Sequence, residues 1–102
     1  MPQYILAYHG GKQPESPEAG AREMERWKAW VAGLGDAIVK PGTPLGKSTM
    51  VSAEGVADGS GPDALTGFSM ITADNLEAAL EITQRCPFLE QGTIEVAEVF
   101  QM

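Results

Sequence analysis

Apolar and polar positions along this chain fall into short runs broken by glycine and proline. Gln3 to His9 is an apolar run between Pro2 and Gly10-Gly11, with Tyr4, Leu6 and Tyr8 on one face and Ile5, Ala7 and His9 on the other. This alternation predicts a first strand buried on both sides. Gly10 to Glu15 reads as a loop, and Ser16-Pro17-Glu18 supplies an N-cap, a proline at the first helical position and an acid in the first turn. The helix that starts there carries Met24, Trp27, Val31 and Leu34 at spacings of three and four. Gly33 and Gly35 close it, and Ala37-Ile38-Val39 restarts an extended run that ends before Pro41-Gly42.

From Gly46 to Gly61 the pattern weakens. Thr49 and Val51 alternate with polar or small neighbours, Glu54-Gly55 looks like a tight turn and Val56 to Asp58 returns, so a small hairpin or extended arm is expected. Asp58-Gly59-Ser60-Gly61-Pro62-Asp63 is dense in turn residues, and Gly67 to Ala73, with Phe68, Met70 and Ile71, is a further strand apolar on both sides. Asp74-Asn75-Leu76-Glu77 reads as a capping box with an aspartate cap, opening a helix in which Leu76, Ala79, Leu80 and Thr83 share a face until Pro87 ends it. Thr93 to Phe100 sets Ile94, Val96 and Ala97 or Val99 against Glu95 and Glu98, a closing strand with one wetter face.

The order β, α, β, hairpin, β, α, β gives two split βαβ units. Right-handed crossovers fold these into an α+β domain of ferredoxin-like plan, an antiparallel sheet with both helices on one face. Two helices cover only one face, yet the first strand is apolar on both. A face-to-face homodimer of dimeric α+β barrel type is the simplest cover for the second.

Composition narrows the function. The length of 102 residues suits one domain spanning 1–102, and no run approaches the ~20 apolar residues of a membrane helix. No secretory signal is visible, so the expected location is cytoplasmic. Seven basic against fourteen acidic residues give a net charge of -7, which repels phosphate backbones and argues against nucleic-acid binding. One cysteine, Cys86, and one histidine, His9, fall short of a zinc set, and no cofactor or metal is expected.

The C-terminal third carries a resemblance. Arg85-Cys86-Pro87-Phe88-Leu89-Glu90-Gln91-Gly92-Thr93-Ile94-Glu95-Val96 resembles the signature of YCII-related, DGPF-domain proteins, in which a Cys-Pro follows the second helix and a Glu-Val pair opens the last strand. The helix Leu76-Glu77-Ala78-Ala79-Leu80-Glu81-Ile82 is similar too, as is Trp27, Trp30 and Leu34 followed by Gly42, Pro44, Leu45, Ser48 and Val51. The resemblance implies a dimeric ferredoxin-like domain. Ser60-Gly61-Pro62-Asp63 keeps only half of the family's Asp-Gly-Pro-Phe, and Ala97-Glu98 replaces its Arg-Pro. Some YCII-like relatives, associated with lyase-type dehydrochlorination, pair a histidine near helix one with an aspartate before the proline after helix two. Helix one here holds no histidine and the pre-proline residue is Cys86, so that dyad is not carried over.

His9, at the end of a strand, is the acid-base candidate, with Asp58, Asp63 and Glu95 as possible partners; the plainer reading is a strand-end histidine bonded to loop backbone or solvent. Cys86 sits at a helix C-terminus, where the partial negative charge disfavours a thiolate, and reads as an inert buried thiol. Arg85 either caps carbonyls or clamps an anionic ligand. Trp27 and Trp30, ~300° apart on a helical wheel, are not expected both to face the core centre, though both could border a pocket. Ser48 could offer a hydroxyl to a small ligand, whereas Gly46-Lys47-Ser48 lacks the glycine spacing of a phosphate loop. Two functions follow. The first is a homodimeric domain binding a small molecule through Trp30, Ser48 and Arg85, with an accessory or regulatory role. The alternative is a cofactor-independent lyase or oxygenase with His9 as general acid or base.

Overall fold

The computed structural model describes residues 1–11 and 15–100, so the loop expected over Gly10 to Glu15 lies partly outside the described residues. Eight main elements follow one another. They are β1 (Gln3–Gly10), α1 (Pro17–Leu34), β2 (Ile38–Pro44), β3 (Thr49–Ser52), β4 (Gly55–Asp58), β5 (Leu65–Thr72), α2 (Leu76–Gln84) and β6 (Gly92–Val99). Short 3-10 turns at Gly35–Ala37 and Pro87–Glu90 precede β2 and β6.

The main sheet has the order β2-β5-β1-β6, and its pairings are antiparallel. This is the ferredoxin-like α+β arrangement. Tyr4, Leu6 and Tyr8 of β1 meet Ile71 and Ala73 beside β1, Ala79 of α2 and Cys86, with Trp27, Trp30 and Leu34 of α1 packed against them. Both helices therefore cover the even-numbered face of β1. The odd-numbered face keeps no helix. Ile5 pairs with Met70 and Ala97, and Ala7 with Phe68 and Glu95. Its centre is apolar and half-buried by the strands alone, with Gln3, Lys40, Thr93 and Glu95 exposed around it.

Several elements depart from the sequence reading for local reasons. β2 runs on through Pro41 to Pro44, because as an edge strand it needs no amide on its outer side, and its ladder to β5 is irregular at Lys40. The hairpin turns at Ala53-Glu54, with Ser52 opposite Gly55 and Gly55 in the left-handed region at φ 134°. Ser16 caps α1, its hydroxyl accepting from the Ala19 amide at 3.1 Å. The cap of α2 is Asn75 and not Asp74: the Asn75 side-chain oxygen accepts from the Ala78 amide at 2.9 Å. The helix packs through the side that carries Ala78, Ala79, Ile82 and Thr83, so Ala79 and Thr83 are buried while Leu76 and Leu80 stay exposed. Trp27 and Trp30 both pack on the core, since three residues of helix leave only ~60° between them.

Among the described residues, no helix is long and apolar enough to cross a membrane. Replacing Asn75 by alanine removes the acceptor at the start of α2 and is expected to cost about 1 kcal/mol. Asp74→Ala is expected to cost less than half of that. Urea unfolding of the two variants compares them directly.

Candidate functional site

A cleft of about 320 Å³ opens where α1, the end of β2 and the start of β5 meet. Tyr8 forms its floor, Trp27 and Phe88 its aromatic walls, and Gly42 and Gly67 leave the sheet side without side chains. A methyl added at Gly42 would strike the Trp27 ring, so this wall depends on glycine. The rings form a connected group. Tyr8 meets Trp27 edge-on at 5.6 Å and Phe88 at 5.1 Å, and Trp30 lies 5.1 Å behind Trp27.

The lining carries no ionisable group except the Tyr8 phenol. That hydroxyl shares a buried hydrogen bond of 2.6 Å with Ser69, and burial pushes its pKa far above the ordinary phenol range. Thr66 donates to the carbonyls of Tyr8 at 3.2 Å and Gly10 at 3.0 Å, and Thr43 donates to that of Pro41 at 3.3 Å. Both threonine oxygens keep accepting capacity, so the cleft offers weak acceptors among aromatic faces and no fixed charge. A second cleft of about 260 Å³ shares Met24, Trp27 and Phe88 with it and runs between α1 and the Pro87–Glu90 turn. Arg26 and Glu90 pair at 2.6 Å across those two elements.

His9 points to the other face of the sheet. Its Nδ1–H donates to the Asp63 carbonyl at 3.1 Å, and its Nε2 lies 3.1 Å from Glu95 Oε1. Register explains the second contact: His9 pairs with Thr93, which puts Glu95 diagonally beside it on the same face. The first follows from Gly10, whose φ of 79° and missing side chain let the Pro62 carbonyl approach and bring the 60–63 loop against the strand end. Both ring nitrogens are engaged by oxygen atoms, so a proton-transfer role for His9 requires one of the two contacts to open. The pair is exposed, 26% for His9 and 72% for Glu95, which limits its stabilisation to about 1 kcal/mol or less.

The domain model for the YCII-related domain matches residues 6–102, nearly the whole of this sequence. The chain belongs to the YCII-related family. Among solved structures, this YCII-related chain is similar to the 5-chloro-2-hydroxyhydroquinone dehydrochlorinase of Burkholderia phenoliruptrix in complex with 2,5-dihydroxybenzoquinone. The TM-score is 0.58 at 17% identity, over 97% of this chain and 95% of that one, a likeness of fold. An Arabidopsis thaliana protein aligns at a TM-score of 0.46 and 14% identity, over 100% of this chain and 96% of that one. No curated protein matches the chain in sequence.

The residues singled out in the YCII-related sequence are dispersed. Trp30 is wedged between the helices, its indole N–H donating to the Ile82 carbonyl at 3.2 Å. Ser48 sits at the neck of the β3–β4 arm, where its carbonyl accepts from the Gly59 amide at 3.0 Å. Arg85 is exposed at the end of α2, 3.9 Å from Glu81. None of the three, nor His9, lines either cleft. Of the cleft residues, only Trp27 was expected to border a pocket; Tyr8, Gly42, Gly67 and Phe88 are among those that sequence reasoning passed over. Phe88 had a signal, standing directly after the Cys86-Pro87 pair. Among the described residues no group of three His, Cys, Asp or Glu side chains converges to hold a metal ion.

Cys86 is 3% exposed, and burial lifts its thiol from an ordinary 9.0 to about 11. The folded state thus holds its proton where the unfolded chain loses it, so this contribution to stability is intact below pH 9 and is lost as pH rises from about 9 to 11. A thiol reagent at pH 8 should react with the native protein at least roughly 100-fold more slowly than with the unfolded chain. Equal rates would show the thiol to be accessible. Gly42→Ala should displace the Trp27 indole, cost about 1–3 kcal/mol and shift the tryptophan emission.

Proposed function

We propose that this YCII-related protein is a small-molecule-binding domain that works as a homodimer in an accessory or regulatory role, its ligand an uncharged, flat ring held in the Tyr8–Trp27–Phe88 cleft. The observation that carries the reading is the lining: three aromatic side chains and two glycines enclose space for one ring, with no charged group aimed into it. A neutral ring gains stacking and apolar contact there, whereas an anion would give up its hydration without a cation in return. The dehydrochlorinase of like fold was solved with a single-ring quinone, which agrees with this size class.

The dimer is the proposed cover for Ile5, Ala7, Phe68, Met70, Ala97 and Val99 on the open face, an apolar centre with a polar rim of the kind interfaces show. An alternative function is a cofactor-independent lyase or oxygenase with His9 as general acid or base. The His9–Glu95 contact favours some role for the pair, but a base role first requires breaking one of the two bonds that occupy the ring.

Tryptophan-fluorescence titration with uncharged phenols tests the binding reading. Saturable quenching is expected, abolished in Met24→Trp, which fills the cleft mouth from a half-exposed position, and unchanged in His9→Ala. Binding that survives Met24→Trp but disappears in His9→Ala would move the site to the other face.

A further inference from the structure

The β3–β4 hairpin is a surface without a partner in its own chain. It forms a separate two-stranded sheet, pairing Met50 with Ala57 on one side and Val51 with Val56 on the other. Those pairs put apolar side chains on both faces. Away from the chain ends, Val51 (74% exposed), Val56 (73%) and Met50 (61%) are the most exposed large apolar residues among those described. Lys47 and Asp58, 3.7 Å apart, pair at its neck, and Ser60 holds the Asp58 carboxyl below the usual range through hydroxyl and amide bonds, so the base is pinned while the blades are bare. An isolated two-stranded hairpin is marginal in water and gains stability from an apolar surface laid against it.

The arm also explains the shape of the molecule. The radius of gyration is 14.7 Å, against the ~13 Å expected for a compact chain of this length. The extents of 44 × 41 × 18 Å describe a slab no thicker than one sheet and one helix layer, so the arm projects in the plane of the slab. There it cannot fold over its own sheet.

We infer that the β3–β4 arm is a clasp that packs against the second copy of this chain, reciprocally in the two subunits. The inference rests on the dimer proposed above and names a part of its interface. Area favours a second copy as the occupant. Four strands of about seven residues give a sheet footprint of roughly 450 Å², short of the roughly 800 Å² per partner of a stable interface. The one face that an in-plane, four-residue hairpin turns to such a partner adds on the order of 125 Å². A two-fold axis lets each arm supply that area twice, once as donor and once as acceptor. Charge does not oppose it: the arm's ion pair is internal and only Glu54 at the turn adds to the net -7 that otherwise keeps copies apart.

Sedimentation of the wild type and of Val51→Glu, together with photo-cross-linking from Val56→Cys, tests the clasp. Cys86 is buried, so a benzophenone maleimide labels position 56 selectively. Irradiation is expected to give a product of twice the chain mass, joined to the other subunit, and Val51→Glu to weaken the dimer at least about tenfold with its far-ultraviolet spectrum unchanged. A wild-type dimer that yields only intramolecular product, or whose affinity ignores Val51→Glu, overturns the clasp and leaves the dimer standing. A monomeric wild type overturns both.

Discussion

The structure depends on one strand with two apolar faces. β1 sits in the middle of the sheet, between β5 and β6, so every side chain along it is flanked by neighbouring strands on either side. Tyr4, Leu6 and Tyr8 receive the helices, and Ile5 and Ala7 receive none. Burying apolar area is the main favourable term in folding, worth about 25 cal/mol per Å², and a sheet that hides half of its greasy surface leaves the other half as an unmet driving force. The open half has an apolar centre with Gln3, Lys40, Thr93 and Glu95 exposed around it, and the proposed dimer rests on that arrangement.

The cleft follows from how lightly α1 touches the sheet. No residue of that eighteen-residue helix is fully buried. Its contact with the core is made by Trp27, Trp30 and Leu34, with Trp30 tied to α2 through the Ile82 carbonyl. The large rings of Trp27 and Trp30 make that contact, and Gly42 accepts the edge of Trp27, while Gly67 lies against the Tyr8 ring of β1. The space left beside Trp27 is lined by the same rings that make the core, so the proposed ligand site and the stability of the domain share residues. His9 and Glu95, by contrast, belong to the open face and are fixed by strand register and the 60–63 loop.

Local chemistry was the legible part. Ser16-Pro17 announced α1, and the alternation in β1 announced both of its faces, because each depends on neighbours in the chain. The cap of α2 was misplaced by one residue because Asp74 and Asn75 carry side chains equally able to accept the bond; backbone direction chose Asn75. The family was legible from the run Arg85 to Val96, and the model of the YCII-related domain matches residues 6–102. The site was less so. His9 meets Glu95 across 86 positions of sequence, and the cleft depends on two glycines whose value lies in what they omit. Ser48 and Arg85 looked available for a ligand because they are polar and near turns, but the fold sends one to the neck of the arm and the other to the far end of α2.

The sheet's bare face makes a direct demand on the state of the protein in solution. Sedimentation equilibrium of the wild-type chain over a dilution series measures it. The account predicts a species of twice the 10.8 kDa chain mass that dissociates only at high dilution. A single species at 10.8 kDa at every concentration would contradict it.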